Sequence, residues 1–218
     1  DLQSSRSVGL GGVETVEDLE KSYSEGMNLT HTDTLRSEEV DEIIETFNKF
    51  APAQFNLPVF EFKGMCEIGF RYPRLMNFYN KKYDIPTVGY DVSTLAVEFG
   101  KSKNFNVREC DLNDLDDDSL DLRGYNVICM YHVLEHVRNP ITTLRNIRNR
   151  MDENSFIHIE VPIEFDEPQA EYGHLFGFHP GDLANYCMFV GLDPMTIVSK
   201  NIGGAIMHER VGCFKHDI

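Results

Sequence analysis

The sequence predicts an α/β protein with a doubly wound, mostly parallel seven-stranded sheet that closes with a C-terminal antiparallel hairpin. From residue 59 onward, short apolar runs alternate with helix-like segments, which is typical of parallel strands joined by crossover helices. Two apolar runs near the C-terminus flank Gly203 and Gly204, and this spacing indicates the hairpin. A length of 218 residues favours one domain with a substantial core.

The individual elements follow from local patterns. Apolar runs predict strands at 65–68, 87–90, 106–110, 125–130, 156–161, 195–199 and 205–214. Helical spacing of Val40, Ile43, Ile44 and Phe47 predicts an amphipathic helix at 37–50. Further helices are predicted at 73–82, 94–100, 140–151 and 180–190. Pro73 and Pro140 suit the first turns of the helices that they begin. Residues 1–36 lack such a pattern, so we expect a flexible arm or lid, followed by a single domain at 37–218.

Composition excludes several functional classes. The formal net charge of −16 repels phosphate backbones, so nucleic acid and anionic membranes are poor partners. There is no run of about 18 apolar residues for a membrane span, and residues 1–7 lack the apolar core of a signal peptide. Five cysteines without a C-x-x-C pair indicate a reduced, cytoplasmic protein whose cysteines act as small buried hydrophobes.

Polar residues end four of the predicted strands, where ligands of open α/β sheets bind. Glu67 and Gly69 follow the first strand, Asp91 the second, Asp111 the third, and residues 131–136 the fourth. The two oxygens of Asp91 suit a ribose diol, although Asp91 could instead cap the next helix. Asp111 could accept from an adenine amine or lie on a solvated acidic loop. A single glycine, Gly69, disfavours NAD or FAD, whose pyrophosphate needs several.

Four segments resemble class I S-adenosylmethionine-dependent methyltransferases, most closely the small-molecule branch. They are residues 66–70, 88–92, 125–137 and 173–180, within a likeness that covers 59–214. The resemblance implies a Rossmann-like methyltransferase fold with a cofactor-binding half at about 59–137 and an acceptor-side half at about 138–218. It also implies S-adenosylmethionine as cofactor, S-adenosylhomocysteine as product, and a small-molecule acceptor methylated on oxygen or nitrogen.

The same resemblance implies roles for individual residues. Glu67 and Gly69 would hold the methionine part, and Asp91 the ribose. Asp111 with Leu112 would contact the adenine, while Tyr131 and His132 would face the sulfonium and the acceptor. The other cofactor-binding residues predicted are Phe70, Arg71, Val92 and Met130. Arg71 stands where the family usually has a second glycine; it would either pair with the methionine carboxylate or point into solvent.

Three histidines are candidate catalytic bases for a hydroxyl acceptor, because the ordinary histidine pKa suits proton transfer near neutral pH. They are His132, His136 and His174, and each could equally be structural. The aromatic residues Tyr172, Phe176 and Phe178 would either line the acceptor pocket or pack the last helix onto the sheet.

Other functions remain open from the sequence. A catalytically silent nucleoside-binding module of the same fold is the main alternative, since the glycine turn is altered. An NAD-dependent dehydrogenase is disfavoured by the missing pyrophosphate glycines. Residues 132–136 match the H-x-x-E-H pattern of inverted zinc peptidases, but they directly follow a strand rather than lying within a helix, so no metal is predicted. The oligomeric state and the acceptor are not specified.

Overall fold

A computed structural model describes residues 15, 17, 21, 29–55, 57–115, 119–165, 173–202 and 206–215. Most of the predicted arm, Tyr172 and the Gly203-Gly204 turn lie outside the described residues. The described helices do not include any that combines the length and apolar character needed to cross a bilayer. All five cysteines are buried and none of them forms a disulfide, as expected for small hydrophobic side chains.

Seven strands form one sheet in the order β3-β2-β1-β4-β5-β7-β6. Their bounds are β1 Met65–Ile68, β2 Thr87–Asp91, β3 Val107–Glu109, β4 Val127–Tyr131, β5 Phe156–Ile163, β6 Asp193–Ile202 and β7 Ile206–Phe214. The first five strands in sheet order pair in parallel, whereas β7 pairs antiparallel with both β5 and β6. The predicted mostly parallel sheet with a C-terminal antiparallel hairpin is therefore confirmed.

Helices cover both faces of the sheet, as a doubly wound fold requires. Their bounds are α1 His31–Phe55, α2 Arg74–Tyr83, α3 Thr94–Ser102, α4 Pro140–Arg150 and α5 Asp182–Phe189, with a 3-10 turn at Leu134–His136. One apolar cluster combines the buried sides of α1, α2 and α3 with the sheet. A second cluster combines the sheet with the 3-10 turn, α4 and α5. Each face of the sheet thus has its own core.

Helix α1 begins earlier than the sequence pattern predicts. The backbone amide of Thr30 donates to Asp33 Oδ2 (3.0 Å), and the amide of Asp33 donates to Thr30 Oγ1 (3.1 Å). This reciprocal pair is a capping box, which satisfies amides that a helix start leaves without partners. Residues 31–36, assigned from the sequence to the arm, are therefore the first turns of a helix that ends at Phe55 rather than at residue 50.

Strand register brings the candidate residues to one edge of the sheet. Ile68 of β1 lies opposite Tyr90 of β2 and Met130 of β4. Tyr131, the last residue of β4, lies opposite Glu160 of β5. Because these strands are parallel, the segments that follow them emerge side by side, and ligands of such sheets bind at this edge.

Candidate functional site

The first strand ends in a buried carboxylate that lacks a full set of partners. Glu67 is only 7% exposed, and its Oε2 atom has no hydrogen-bond partner among the described residues. Burial raises the pKa of Glu67 well above its ordinary value, and nearby Asp33 raises it further while Arg36 acts in the opposite direction. A buried carboxylate oxygen without a donor favours a cationic or hydrogen-bonding ligand group at this position.

Gly69 holds the turn after β1 in a conformation that only glycine adopts without strain. Its φ is +75°, and its amide donates to the carbonyl of Tyr90 (2.7 Å). A Cβ atom here would lie 2.4 Å from Cγ2 of Val133. Gly69 therefore permits close packing between this turn and the loop that follows β4.

The side chain of Asp91 connects the turn after β1 to the turn after β2. Its Oδ2 atom accepts from the amide of Arg71 (2.9 Å), and its Oδ1 atom accepts from the amide of Ser93 (2.9 Å). Burial raises the pKa of Asp91, while these two amides act in the opposite direction. Each oxygen has a second lone pair, so the carboxylate can still accept ribose hydroxyls. The capping role considered for Asp91 belongs to Ser93, whose hydroxyl accepts from the amide of Ala96.

Arg71 retains the backbone geometry of a glycine. Its φ of 40° lies in the left-handed region, which L-residues other than glycine adopt at a cost of roughly 1–2 kcal/mol. The amide that Arg71 donates to Asp91 depends on this geometry. The turn thus has a left-handed residue at the position where the resemblance implies a second glycine.

The other predicted cofactor-binding residues have mixed surroundings. Asp111 is exposed, and its Oδ1 atom accepts from the amide (2.8 Å) and the side chain (3.1 Å) of Asn113. Leu112 is buried, and Val92 is exposed. Phe70 and Met130 are buried members of the two apolar clusters. Phe70 and Met130 therefore have the surroundings of core residues. Contact of these two residues and of Leu112, Asp111 and Val92 with the cofactor stays a prediction.

A buried ionic network surrounds Glu160 of β5, beside the end of β4, and the strand-end pattern of the sequence does not indicate it. The side chain of Glu160 is fully buried and contacts Arg36 (2.6 Å), Arg210 (2.9 Å) and His132 (2.9 Å). Burial would raise the pKa of Glu160, but hydrogen bonds from His132, His208 and Arg36 hold it well below the ordinary value. The signal in the sequence was a charged residue inside an apolar strand, which is rarely buried without a partner.

His132 is held as a cation in this network. Its Nδ1 atom lies 3.1 Å from Glu135 Oε1, and its Nε2 atom lies 2.9 Å from Glu160 Oε1. Burial lowers the pKa of His132, but the two carboxylates outweigh it and raise the pKa to about 9. An imidazole that is protonated at neutral pH has no lone pair to accept a proton.

Tyr131 faces a different set of partners. Its hydroxyl lies 2.8 Å from Nδ1 of His158, and the guanidinium carbon of Arg36 lies 4.3 Å from the centre of its ring. Burial raises the pKa of Tyr131 well above its ordinary value and lowers that of His158 to about 3. Both side chains are therefore neutral at physiological pH.

The structure brings His136 and His174 together. Their ring centres are 5.0 Å apart, although 38 positions separate them in the chain. The amides of Leu175 (2.7 Å) and Phe176 (3.1 Å) both donate to the carbonyl of Glu135. These two bonds attach residues 173–178 to the 3-10 turn and set the distance between the rings.

Two sequence alternatives are answered by packing. The rings of Phe176 and Phe178 each lie 6.1 Å from that of Tyr186 on α5, so both pack against the last helix. Residues 132–136 do not form an α-helix, since His132 has a φ of 56° and a 3-10 turn follows. The two histidines therefore do not share one helix face as the zinc-peptidase pattern requires.

The fold and this strand-end site define a Rossmann-like methyltransferase architecture. A family described as "Methyltransferase domain" matches residues 67–157, which include the end of β1, all of β2, β3 and β4, and the residues Glu67, Asp91 and His132. Over these residues the chain is therefore similar to methyltransferase domains, and the sheet order is that of the Rossmann-like methyltransferase fold.

Solved structures give the same fold at low sequence identity. The [4+2]-cyclase SpnF superposes with a TM-score of 0.66 at 9% identity, covering 92% of each chain. The plantazolicin methyltransferase BpumL in complex with SAH gives 0.58 at 12% identity, covering 92% of this chain and 90% of that one. The CMeT domain of the citrinin polyketide synthase gives a TM-score of 0.57 at 11% identity. This superposition covers 72% of this chain and 48% of that one. A comparison with curated proteins gives no match.

Proposed function

We propose that the protein transfers a methyl group from S-adenosylmethionine to an oxygen or nitrogen atom of a small molecule, acting in the cytoplasm. The observation that carries the proposal is the pair of carboxylates at neighbouring strand ends: Glu67 with an oxygen that lacks a donor, and Asp91 with lone pairs to spare. S-adenosylmethionine, when bound, supplies a methyl group that is already activated by the sulfonium charge.

The residues of the chain would bind and orient the reactants. Glu67 suits the ammonium group of the methionine part, because a buried carboxylate without a donor is stabilised by a cation. Asp91 suits the ribose diol, because both of its oxygens already face the turn after β1. Precise alignment of an acceptor with the methyl group can lower the activation barrier by about 7–11 kcal/mol.

The acceptor would lie near the loop after β4. Of the three candidate bases, His132 is protonated at neutral pH, so the proposal assigns proton acceptance from a hydroxyl acceptor to His136 or His174. A net charge of −16 supports a small-molecule acceptor over nucleic acid. The neighbour BpumL was solved with SAH, the product of such a transfer, which supports the choice of cofactor.

A silent nucleoside-binding module is the second candidate. Arg71 in place of a glycine favours it, because a side chain now stands in the turn that approaches the cofactor. The fold does not decide the matter, because SpnF shares it and is named as a cyclase.

Calorimetric titration with S-adenosylmethionine and S-adenosylhomocysteine, with NAD as control, tests the proposal. We expect both nucleosides to bind and NAD not to bind. Asp91→Ala should weaken binding roughly 10–150-fold, which corresponds to about 1.5–3 kcal/mol for hydrogen bonds to a charged group. Asp84→Asn, at an exposed left-handed position that asparagine tolerates, is the matched control. Binding without turnover on a broad acceptor panel would favour the silent module, and no binding would refute both.

A further inference from the structure

Three potential metal ligands converge beside the 3-10 turn: Glu135, His136 and His174. One ligand atom from each lies within 4.8 Å of the other two. Glu135 is fully buried, whereas His136 is partly open to solvent with 43% of its side chain exposed. The cluster therefore combines a buried anchor with an accessible side, which suits an ion that exchanges with solvent or contacts a ligand.

The two imidazoles are oriented in the way that metal-ligating histidines are. Nδ1 of His136 lies 3.0 Å from the carbonyl oxygen of Gly173, and Nδ1 of His174 lies 2.6 Å from Glu164 Oε1. A histidine ligand typically donates its other ring N–H to a backbone carbonyl or a carboxylate, and this bond fixes the ring and its tautomer. With Nδ1 engaged in this way, coordination would use Nε2, and Nε2 of His136 faces Glu135 Oε1 at 4.0 Å.

The backbone holds the cluster in place before any ligand binds. The carbonyl of Glu135 accepts from Leu175 and Phe176, and the amide of Glu164 donates to the carbonyl of Phe178 (2.8 Å). These bonds attach the segment that bears His174 both to the 3-10 turn and to the end of β5. The positions of the three ligands thus depend on main-chain contacts rather than on flexible side chains.

An unpartnered carboxylate oxygen favours a cation at this cluster. Oε2 of Glu135 is buried and has no hydrogen-bond partner among the described residues. The Oε1 atom of Glu135 pairs with the His132 cation (3.1 Å), which Glu160 shares, so Oε2 is the oxygen available to a further cation. A second cluster, His132 with Glu160 and His208, also has suitable ligand types. There, however, Arg36 and Arg210 already neutralise Glu160, and their charges would repel a metal ion.

We propose that Glu135, His136 and His174 bind a divalent transition-metal ion, with Glu164 and the Gly173 carbonyl orienting the two histidines. Two imidazoles and one carboxylate suit zinc, iron(II), cobalt or manganese. Three protein ligands leave coordination positions open to water or to an oxygen of a bound small molecule. This binding site does not depend on the chain being a methyltransferase.

One consequence does rest on the proposed function. A hydroxyl of the acceptor bound to the ion would have a lowered pKa and release its proton to water. The acceptor oxygen would then form its bond to the methyl carbon while the carbon–sulfur bond breaks and its electron pair stays on sulfur. His136 and His174 would act as ligands instead of bases, and the favoured acceptors would be hydroxyl compounds such as phenols, enols or sugars.

The test is calorimetric titration of the full, chelator-treated chain with Zn²⁺, Mn²⁺ and Co²⁺, in the absence of S-adenosylmethionine. We expect one ion per chain for at least one of these metals, and visible absorption bands from the cobalt complex. His136→Ala and His174→Ala should each weaken binding by more than about 100-fold. Glu164→Gln removes only an orienting carboxylate, and it should weaken binding by about 10–100-fold.

Two matched variants decide where the ion binds. His179→Ala removes an exposed histidine elsewhere, and His208→Ala removes a ligand of the second cluster; both should leave binding unchanged. The proposal would be overturned if no metal bound one-to-one, or if His136→Ala and His174→Ala bound metal as tightly as the parent. It would also be overturned if only His208→Ala lost binding. Metal binding without any binding of S-adenosylmethionine would support this site and contradict the proposed function.

Discussion

A side chain at position 69 should destabilise the protein, and Val133 should account for much of the cost. The φ of +75° contributes roughly 1–2 kcal/mol of backbone strain in Gly69→Ala. The added Cβ would lie 2.4 Å from Val133 Cγ2, and overpacking of this kind costs about 1–3 kcal/mol. The expected loss in the free energy of unfolding is therefore about 2–5 kcal/mol.

Replacing Val133 by alanine removes the atom that clashes. In that background, Gly69→Ala should cost only the strain of about 1–2 kcal/mol, so the coupling between the two sites is about 1–3 kcal/mol. Gly124→Ala is the matched control, since Gly124 has a φ of +82° and no atom within 4 Å of an added Cβ. Its cost should equal that of Gly69→Ala in the Val133→Ala background.

Urea unfolding of the parent, the two single variants, the double variant and the Gly124 control measures these terms. At this chain length, each kcal/mol corresponds to about 2–4 °C in Tm, which gives an independent readout. An equal cost of Gly69→Ala with and without Val133 would refute the packing argument and leave backbone strain as the sole reason for glycine at this turn.

Three further predictions follow from the site. Arg71→Gly should be more stable than Arg71→Ala by about 1 kcal/mol in urea unfolding, because only glycine relaxes at a φ of 40°; equal stability would contradict the strain. The pKa of His158 is about 3 against an ordinary 6.5, so only the unfolded chain gains a proton below pH 6.5, and the stability of the folded chain falls. Between pH 7.5 and 5 the free energy of unfolding of the parent should therefore fall by about 2 kcal/mol more than that of His158→Gln. Equal falls in the two proteins would be evidence against a neutral buried ring. Burial raises the pKa of Glu67, so its ionisation lowers the stability of the folded chain as the pH rises above 4.5. Glu67→Gln should abolish this loss of stability in unfolding experiments and should weaken binding of S-adenosylmethionine. An unchanged dependence of stability on pH would mean that the carboxylate is solvated.

Local patterns were enough to predict the sheet and most helices, because strands β1, β2, β4 and β5 are mainly apolar runs and Pro140 marks a helix start. The start of α1 was missed, although Thr30 and Asp33 have the spacing of a capping box. The predicted helix followed hydrophobic periodicity alone, and the first turns of α1 pack charged side chains against the sheet. A capping search would have corrected this boundary.

The site was predicted in part, for a physical reason. Residues at strand ends can be identified from the sequence, because parallel topology brings those ends to one edge, and Glu67 and Asp91 are there. The partners of Glu160 could not be identified in this way. Arg36 lies 124 positions from it, and their contact depends on how α1 packs across the sheet. The meeting of His136 and His174 likewise depends on backbone bonds between two loops.

The ionic network around Glu160 defines how much of the chain must be kept together. Arg210 of β7 is fully buried and pairs with Glu39 of α1, while Arg36 of the same helix pairs with Glu160. Deleting α1 would leave Arg210 and Glu160 with fewer countercharges, and breaking a buried ion pair on one side costs about 3–5 kcal/mol. A shortened version for expression or domain fusion should therefore begin at or before Thr30 and continue through Phe214, well beyond the segment that matches the family.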